Sequence, residues 1–301
     1  MIYPTPSFKK ILVATDFSSA SGTAFQVGLN LCKELGASLY VLHVFEYCET
    51  VPAVPGSQAV QLKELFKSAE LSLQDLHKRA CEVGVACETM IEGGIVSSEI
   101  MNTIASKNIE LVVLGTKALH GFERLVFGST AEEVLRKTSC PVLTVGPHVT
   151  DAAVKIDGPI VFATDFQLST IHAIRYAASF GQKTGASLHC LHVLPRTPGI
   201  GPQNAVVPQI MADALELVAT ECGTPVKQPI CVTTYGNEVA NAIVDYARKE
   251  RAKLIVLGIR HASTVAAHLA PHIAYRVISE AQCPVMTVAF PTRYHAQRAI
   301  A

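Results

Sequence analysis

Hydrophobic positions along the chain fall into two alternating textures. Short unbroken apolar runs, such as Leu111-Val112-Val113-Leu114, alternate with longer stretches in which apolar residues recur every three or four positions. Continuous β-rich runs suit strands covered on both faces of a sheet. In the N-terminal half they predict strands near 9–15, 38–45, 86–92, 110–115 and 141–146. Between them, Ala24, Val27, Leu31 and Leu35 mark one helical stripe, and Val96, Ile100 and Ile104 mark another. Such alternation predicts an open, doubly wound parallel sheet with helices on both faces.

The pattern then repeats. Lys10–Phe17 (KILVATDF) returns as Pro159–Phe166 (PIVFATDF), and Gly36-Ala37-Ser38-Leu39 returns as Gly185-Ala186-Ser187-Leu188. Leu42-His43-Val44 returns as Leu191-His192-Val193. Val113-Leu114-Gly115 pairs with Val256-Leu257-Gly258, and Cys140-Pro141-Val142 with Cys283-Pro284-Val285. Ala131, Val134 and Leu135 match Ala274, Val277 and Ile278, so the last helix keeps its buried face. A repeat this long is duplication of a whole domain, not a solenoid. The chain therefore divides into a first domain at 1–146, a linker at 147–158, a second domain at 159–290 and a tail at 291–301. Each domain is expected to hold a five-stranded parallel sheet.

Composition narrows the function classes. Lys plus Arg and Asp plus Glu both number 25 in 301 residues. That balance argues against a nucleic-acid partner, which calls for a basic footprint. No stretch reaches the length of an apolar membrane span. Met1–Pro6 lacks the basic start and apolar run of a signal peptide, so a cytoplasmic protein is expected. The nine cysteines include no C-x-x-C pair and mostly sit in apolar runs, which reads as reduced, packed thiols.

Ligands of open parallel sheets bind beyond the carboxyl ends of the strands. Three segments of the first domain meet there: Ala14-Thr15-Asp16-Phe17-Ser18, His43-Val44, and Gly115 to Thr130. The last holds Gly115, Lys117, Gly121, Arg124 and Gly128, then Ser129-Thr130 at a helix start. Glycines let main-chain N–H groups approach a phosphate, and a helix N-terminus adds donors and partial positive charge. The same residues admit a structural role. Ser129-Thr130-Ala131-Glu132 is a capping box, Asp16 is a helix-cap candidate, and His43 and His120 are a packed or surface histidine as readily as phosphate neighbours.

Taken together, A-T-D-F-S, L-H-V, V-L-G-T, a glycine loop with G-S-T, and C-P-V-L-T-V resemble the universal stress protein family over nearly all of each half. The resemblance implies a tandem member with two adenine-nucleotide alpha-hydrolase-like domains packed as a pseudo-dimer. Their last strands, near Val142–Val145 and Val285–Val288, would pair across the two-fold. It implies ATP, or AMP or ADP, as ligand, with Mg2+ as a companion cation. Asp16 and backbone near Val44 would face the nucleoside, with Gly115, Gly128, Ser129 and Thr130 at ribose and phosphates. The family's G-x-x-G, nine residues, G-S pattern maps to Gly115, Ala118, Gly128 and Ser129, so Ala118 departs from it. The second domain reads Gly258, His261, Pro271 and His272 there, which predicts no ATP site. Its His192, His261, His268 and His272 raise a metal reading that no ligand pattern supports. The first expectation is a regulatory, non-catalytic nucleotide binder. A weak ATPase and a nucleotide-free scaffold are the alternatives; the chain has no G-x-x-x-x-G-K-[ST] P-loop. A further homodimer is left open.

Overall fold

A computed structural model describes residues 5–46, 57–116, 129–150, 155–196, 209, 211–213, 229–259 and 272–290. The first domain runs β1 (Lys10–Ala14), α1 (Ser19–Leu35), β2 (Ser38–Phe45), α2 (Ser57–Glu82), β3 (Cys87–Gly93), α3 (Val96–Lys107), β4 (Leu111–Gly115), α4 (Ser129–Lys137) and β5 (Val142–Val145). The second runs β6 (Ile160–Ala163), α5 (Leu168–Thr184), β7 (Leu188–Leu194), β8 (Ile230–Tyr235), α6 (Val239–Lys249), β9 (Leu254–Ile259), α7 (His272–Glu280) and β10 (Val285–Ala289).

Apolar runs become strands because both sheet faces are covered. In β1, Ile11 and Val13 point into one core and Leu12 into the other, and all three are fully buried. Helices α1, α2 and α5 cover the first face; α3, α4, α6 and α7 cover the second. The stripes named from sequence leave the stretch between β2 and β3 unassigned. It holds α2, which buries Ala69, Leu73 and Ala80 along one side. The duplicated Gly-Ala-Ser-Leu is a helix stop followed by a strand start. Gly36 and Gly185 take left-handed φ of 58° and 72° at the C-caps of α1 and α5, a conformation that suits glycine.

All ten strands join one sheet in the order β3-β2-β1-β4-β5-β10-β9-β6-β7-β8. Each half is parallel, and the halves meet through one antiparallel step. Val142, Leu143 and Thr144 face Thr287, Met286 and Val285. The two domains thus pack as a pseudo-dimer whose closing strands cover each other's edges, removing two exposed ladders.

The chain segments flanking the first domain reinforce this seam. Phe8 is fully buried and meets Phe180 and Tyr176 of α5 edge-on, with centroids 5.5 and 6.1 Å away. Ser179 Oγ donates to the Pro6 carbonyl at 2.7 Å. Between the domains, Val149 and Ile156 are buried in the core, so these two residues contribute packing as well as connection.

Candidate functional site

Strand β1 ends in a tight turn that aims a carboxylate at the sheet's open end. Thr15 Oγ1 accepts from Phe17 N at 3.0 Å, and Phe17 adopts φ of 58°. Left-handed backbone at a bulky residue is strained and is held by its surroundings. Asp16 Oδ1 accepts from Ser18 N at 3.0 Å, Ser18 Oγ at 2.5 Å and Ser21 Oγ at 2.7 Å. Ser18, not Asp16, is the N-cap of α1, accepting from Ser21 N. Asp16 instead orients the serines and stands exposed at the mouth.

The second domain repeats this turn. Phe166 N donates to Thr164 Oγ1 and Gln167 N to Asp165 Oδ1, both at 3.0 Å, and Phe166 has φ of 61°. Gln167 stands in Ser18's place and makes no side-chain cap bond. In each domain a β2-type histidine clamps the turn. His43 Nδ1 lies 2.8 Å from the Thr15 carbonyl, and His192 Nδ1 lies 2.8 Å from the Thr164 carbonyl. Their rings pack on Phe17 and Phe166 at 4.5 and 4.7 Å. Both histidines are thereby fixed as packed, hydrogen-bonded groups.

Beyond these turns lies a crevice of about 330 Å³ in the first domain. Leu42, Val44, Val96, Ile100, Leu114 and Ala131 give it an apolar floor. Thr15, Asp16, Ser18, Ser21, Thr116 and Thr130 give it a polar rim, with Asp16 its one charged lining residue among those described. Ala14 and Gly115 complete the lining. Gly115 has a packing role that outweighs any flexibility. A Cβ there would lie 2.3 Å from the Ala20 carbonyl oxygen, so the end of β4 touches the backbone of α1. Thr116 N donates to the Val145 carbonyl at 3.0 Å, which fixes the end of β4 beside β5.

Of the residues named from sequence, Ala14, Thr15, Asp16, Val44, Gly115 and Thr130 line this one crevice. Ser129 is the first residue of α4, exposed and beside the lining. Lys117, Ala118, His120, Gly121, Arg124 and Gly128 lie outside the described residues. Ser21 was not legible as a site residue. Its signal was its place three residues, about one helical turn, beyond Ser18.

The second domain holds an equivalent crevice of about 400 Å³. Ala163, Thr164, Asp165, Leu191, Val193, Val239, Ile243, Leu257, Gly258 and Ala274 occupy matching positions. The rim differs. Ile259 and Ile273 replace Thr116 and Thr130, so two hydroxyls become aliphatic branches. Among the described residues no group of three or more His, Cys, Asp or Glu could hold a metal ion, and no helix is long and apolar enough to cross a membrane. His261, His268 and Pro271 lie outside them. The seven described cysteines are free thiols. Burial pushes Cys32 and Cys283 up to about 12.

The sequence pattern of the Universal stress protein family matches residues 7–146 and again 158–289. A universal stress protein of Methanocaldococcus jannaschii is 33% identical over 139 residues, covering 46% of this chain and 82% of its own length. One of Bacillus subtilis is 32% identical over 146 residues, covering 46% and 99%. The crystal structure of a universal stress protein from Archaeoglobus fulgidus superposes with a TM-score of 0.72 at 24% identity, over 94% of this chain and 98% of that one. That likeness spans both halves and is one of fold.

Proposed function

This chain belongs to the universal stress protein family, whose domain it carries twice, and we propose that it is a regulatory protein binding one adenine nucleotide in the first-domain crevice. The observation that carries this reading is the crevice's division into a flat apolar floor and a hydroxyl-rich rim, set at the carboxyl ends of β1 and β4 beside the start of α4.

The floor residues Leu42, Val44, Val96 and Ile100 suit a purine ring, which gains by leaving water. The Asp16 carboxylate, oriented by Ser18 and Ser21, accepts from ribose hydroxyls. Thr130 and the first amides of α4 face the phosphates, where the helix end favours negative charge. Gly128, Ser129 and Lys117 belong to that side by sequence. ATP is the first ligand, with AMP or ADP as smaller forms and Mg2+ accompanying the phosphates. Ser18 and Ser21 are engaged in orienting Asp16 and capping α1, so binding rather than turnover is the expected activity. The second domain keeps the floor and Asp165 but has Ile259 and Ile273 where the first has Thr116 and Thr130, and its expected nucleotide occupancy is nil.

Mass spectrometry of ligand released from the purified full chain tests the reading. Adenine nucleotide in the released fraction supports it. An empty protein that also fails to take up added ATP favours the scaffold alternative.

A further inference from the structure

A second concavity lies at the opposite end of the sheet, before β9 and β10. It measures about 340 Å³ and is lined by the turns after α6 and α7, together with His148 and Thr150 from the segment leaving the first domain. Among the described residues its lining carries Arg248, Arg251, Lys253 and His148 and no carboxylate.

The charge is specific to the second repeat. At the matching turn after α3 the first repeat has Ala105, Asn108 and Glu110 where the second has Arg248, Arg251 and Lys253. The backbone is the same in both. Ile109 N bonds the Ile104 carbonyl at 3.0 Å, and Ala252 N bonds the Ala247 carbonyl at 2.8 Å. Asn108 and Arg251 both take φ of 53°. This left-handed helix stop suits Gly or Asn. Arginine is a costly choice there, and an observed backbone outlier points to a function for the residue.

Helix dipoles do not account for the cluster. The ends of α6 and α7 together carry about one negative charge. Arg248 already has Asp245 at 3.1 Å. Arg251 and Lys253 add positive charge where the first repeat has Asn108 and Glu110. Several cations lining a hollow of small-molecule size form a receptor for a compact polyanion.

We propose that this seam binds a small diphosphoryl or similarly compact dianion, held by Arg251, Lys253 and Arg248, with His148 and Thr150 closing it from the first domain. Its occupant would tie the exit of β5 to the turns that precede β9 and β10, strengthening the pairing of the two domains. The site is separate from the crevice at the carboxyl ends of the strands.

The test is calorimetric titration of the full chain with inorganic pyrophosphate, comparing wild type with R251G, K253E and D16A. R251G removes the charge and relieves the left-handed backbone, so it should raise the thermal midpoint while weakening pyrophosphate at least tenfold. K253E installs the first repeat's residue and should weaken it comparably. D16A should leave pyrophosphate affinity unchanged, and R251G and K253E should leave ATP affinity unchanged, which together separate this site from the nucleotide crevice. Equal affinity in wild type, R251G and K253E overturns the proposal. So does loss of binding in D16A, or no binding by wild type at millimolar pyrophosphate.

Discussion

His43 Nδ1 donates to the carbonyl oxygen of Thr15 at 2.8 Å, fastening the end of β2 to the end of β1 where the crevice opens. His192 and Thr164 repeat the clasp in the second domain at the same distance. A carbonyl only accepts, so Nδ1 carries the proton in both. The clasp holds the strained Phe17 turn, and through it the direction of Asp16. His43→Ala is expected to cost about 1 kcal/mol for the bond and to weaken adenine-nucleotide affinity several-fold. His192→Ala should cost as much stability and leave that affinity alone. Urea unfolding and nucleotide titration of the two variants check the pair.

Gly115 admits no side chain. Gly115→Ala would drive a methyl into the Ala20 carbonyl, 2.3 Å from the new Cβ, and backbone cannot swing away as a flexible side chain does. The expected loss is about 1–3 kcal/mol, with the crevice distorted at its junction with α1. Denaturant midpoints with an unchanged slope would report it.

Two of the differences between the crevice rims lie at positions 116 and 130. Thr116→Ile with Thr130→Ile would give the first domain the second domain's residues there. Nucleotide affinity should fall at least tenfold while the fold persists, because the second domain already packs isoleucine at both positions. Titration alongside circular dichroism distinguishes loss of the site from loss of structure.

Phe8 anchors the N-terminal segment across the domain seam, against Tyr176 and Phe180. Phe8→Ala is expected to cost about 3–5 kcal/mol, the range for a buried aromatic. Amides of α5 should lose hydrogen-exchange protection before those of β1 and β2 do.

His172, half-buried between Tyr176 and Phe290, has its pKa lowered to about 4, first by burial and then by Arg175. Its neutral form is favoured in the fold, while the unfolded chain takes up a proton near pH 6.5. Its contribution to stability is therefore complete above about pH 6.5 and lost as pH falls toward 4. The loss amounts to at most about 3 kcal/mol, less what solvent screens. His172→Leu should flatten stability between pH 6.5 and 4 relative to wild type; an unchanged slope would refute the assignment.

The sheet was legible because both faces of its inner strands are covered, which makes Leu111–Leu114 and its counterparts stand out as unbroken runs. Duplication then doubled each signal. The floor of the crevice was legible as ordinary core, since Val96 and Ile100 serve the helix stripe and the cavity at once. Ser21 was hidden because a helix-start serine has many uses. The seam cluster was hidden for another reason. His148 is far along the chain from Arg251 and Lys253, and only the antiparallel β5–β10 pairing brings the exit of the first domain beside the turns of the second. The left-handed φ of Phe17 and Phe166 is likewise unreadable from residue type, because phenylalanine ordinarily avoids it.

Calorimetric titration of the full chain with ATP and Mg2+ tests the central claim, that one of the two crevices holds nucleotide. The account predicts one equivalent per chain, lost in Asp16→Ala and retained in Asp165→Ala. Two equivalents, none, or a single equivalent that disappears in Asp165→Ala would contradict it.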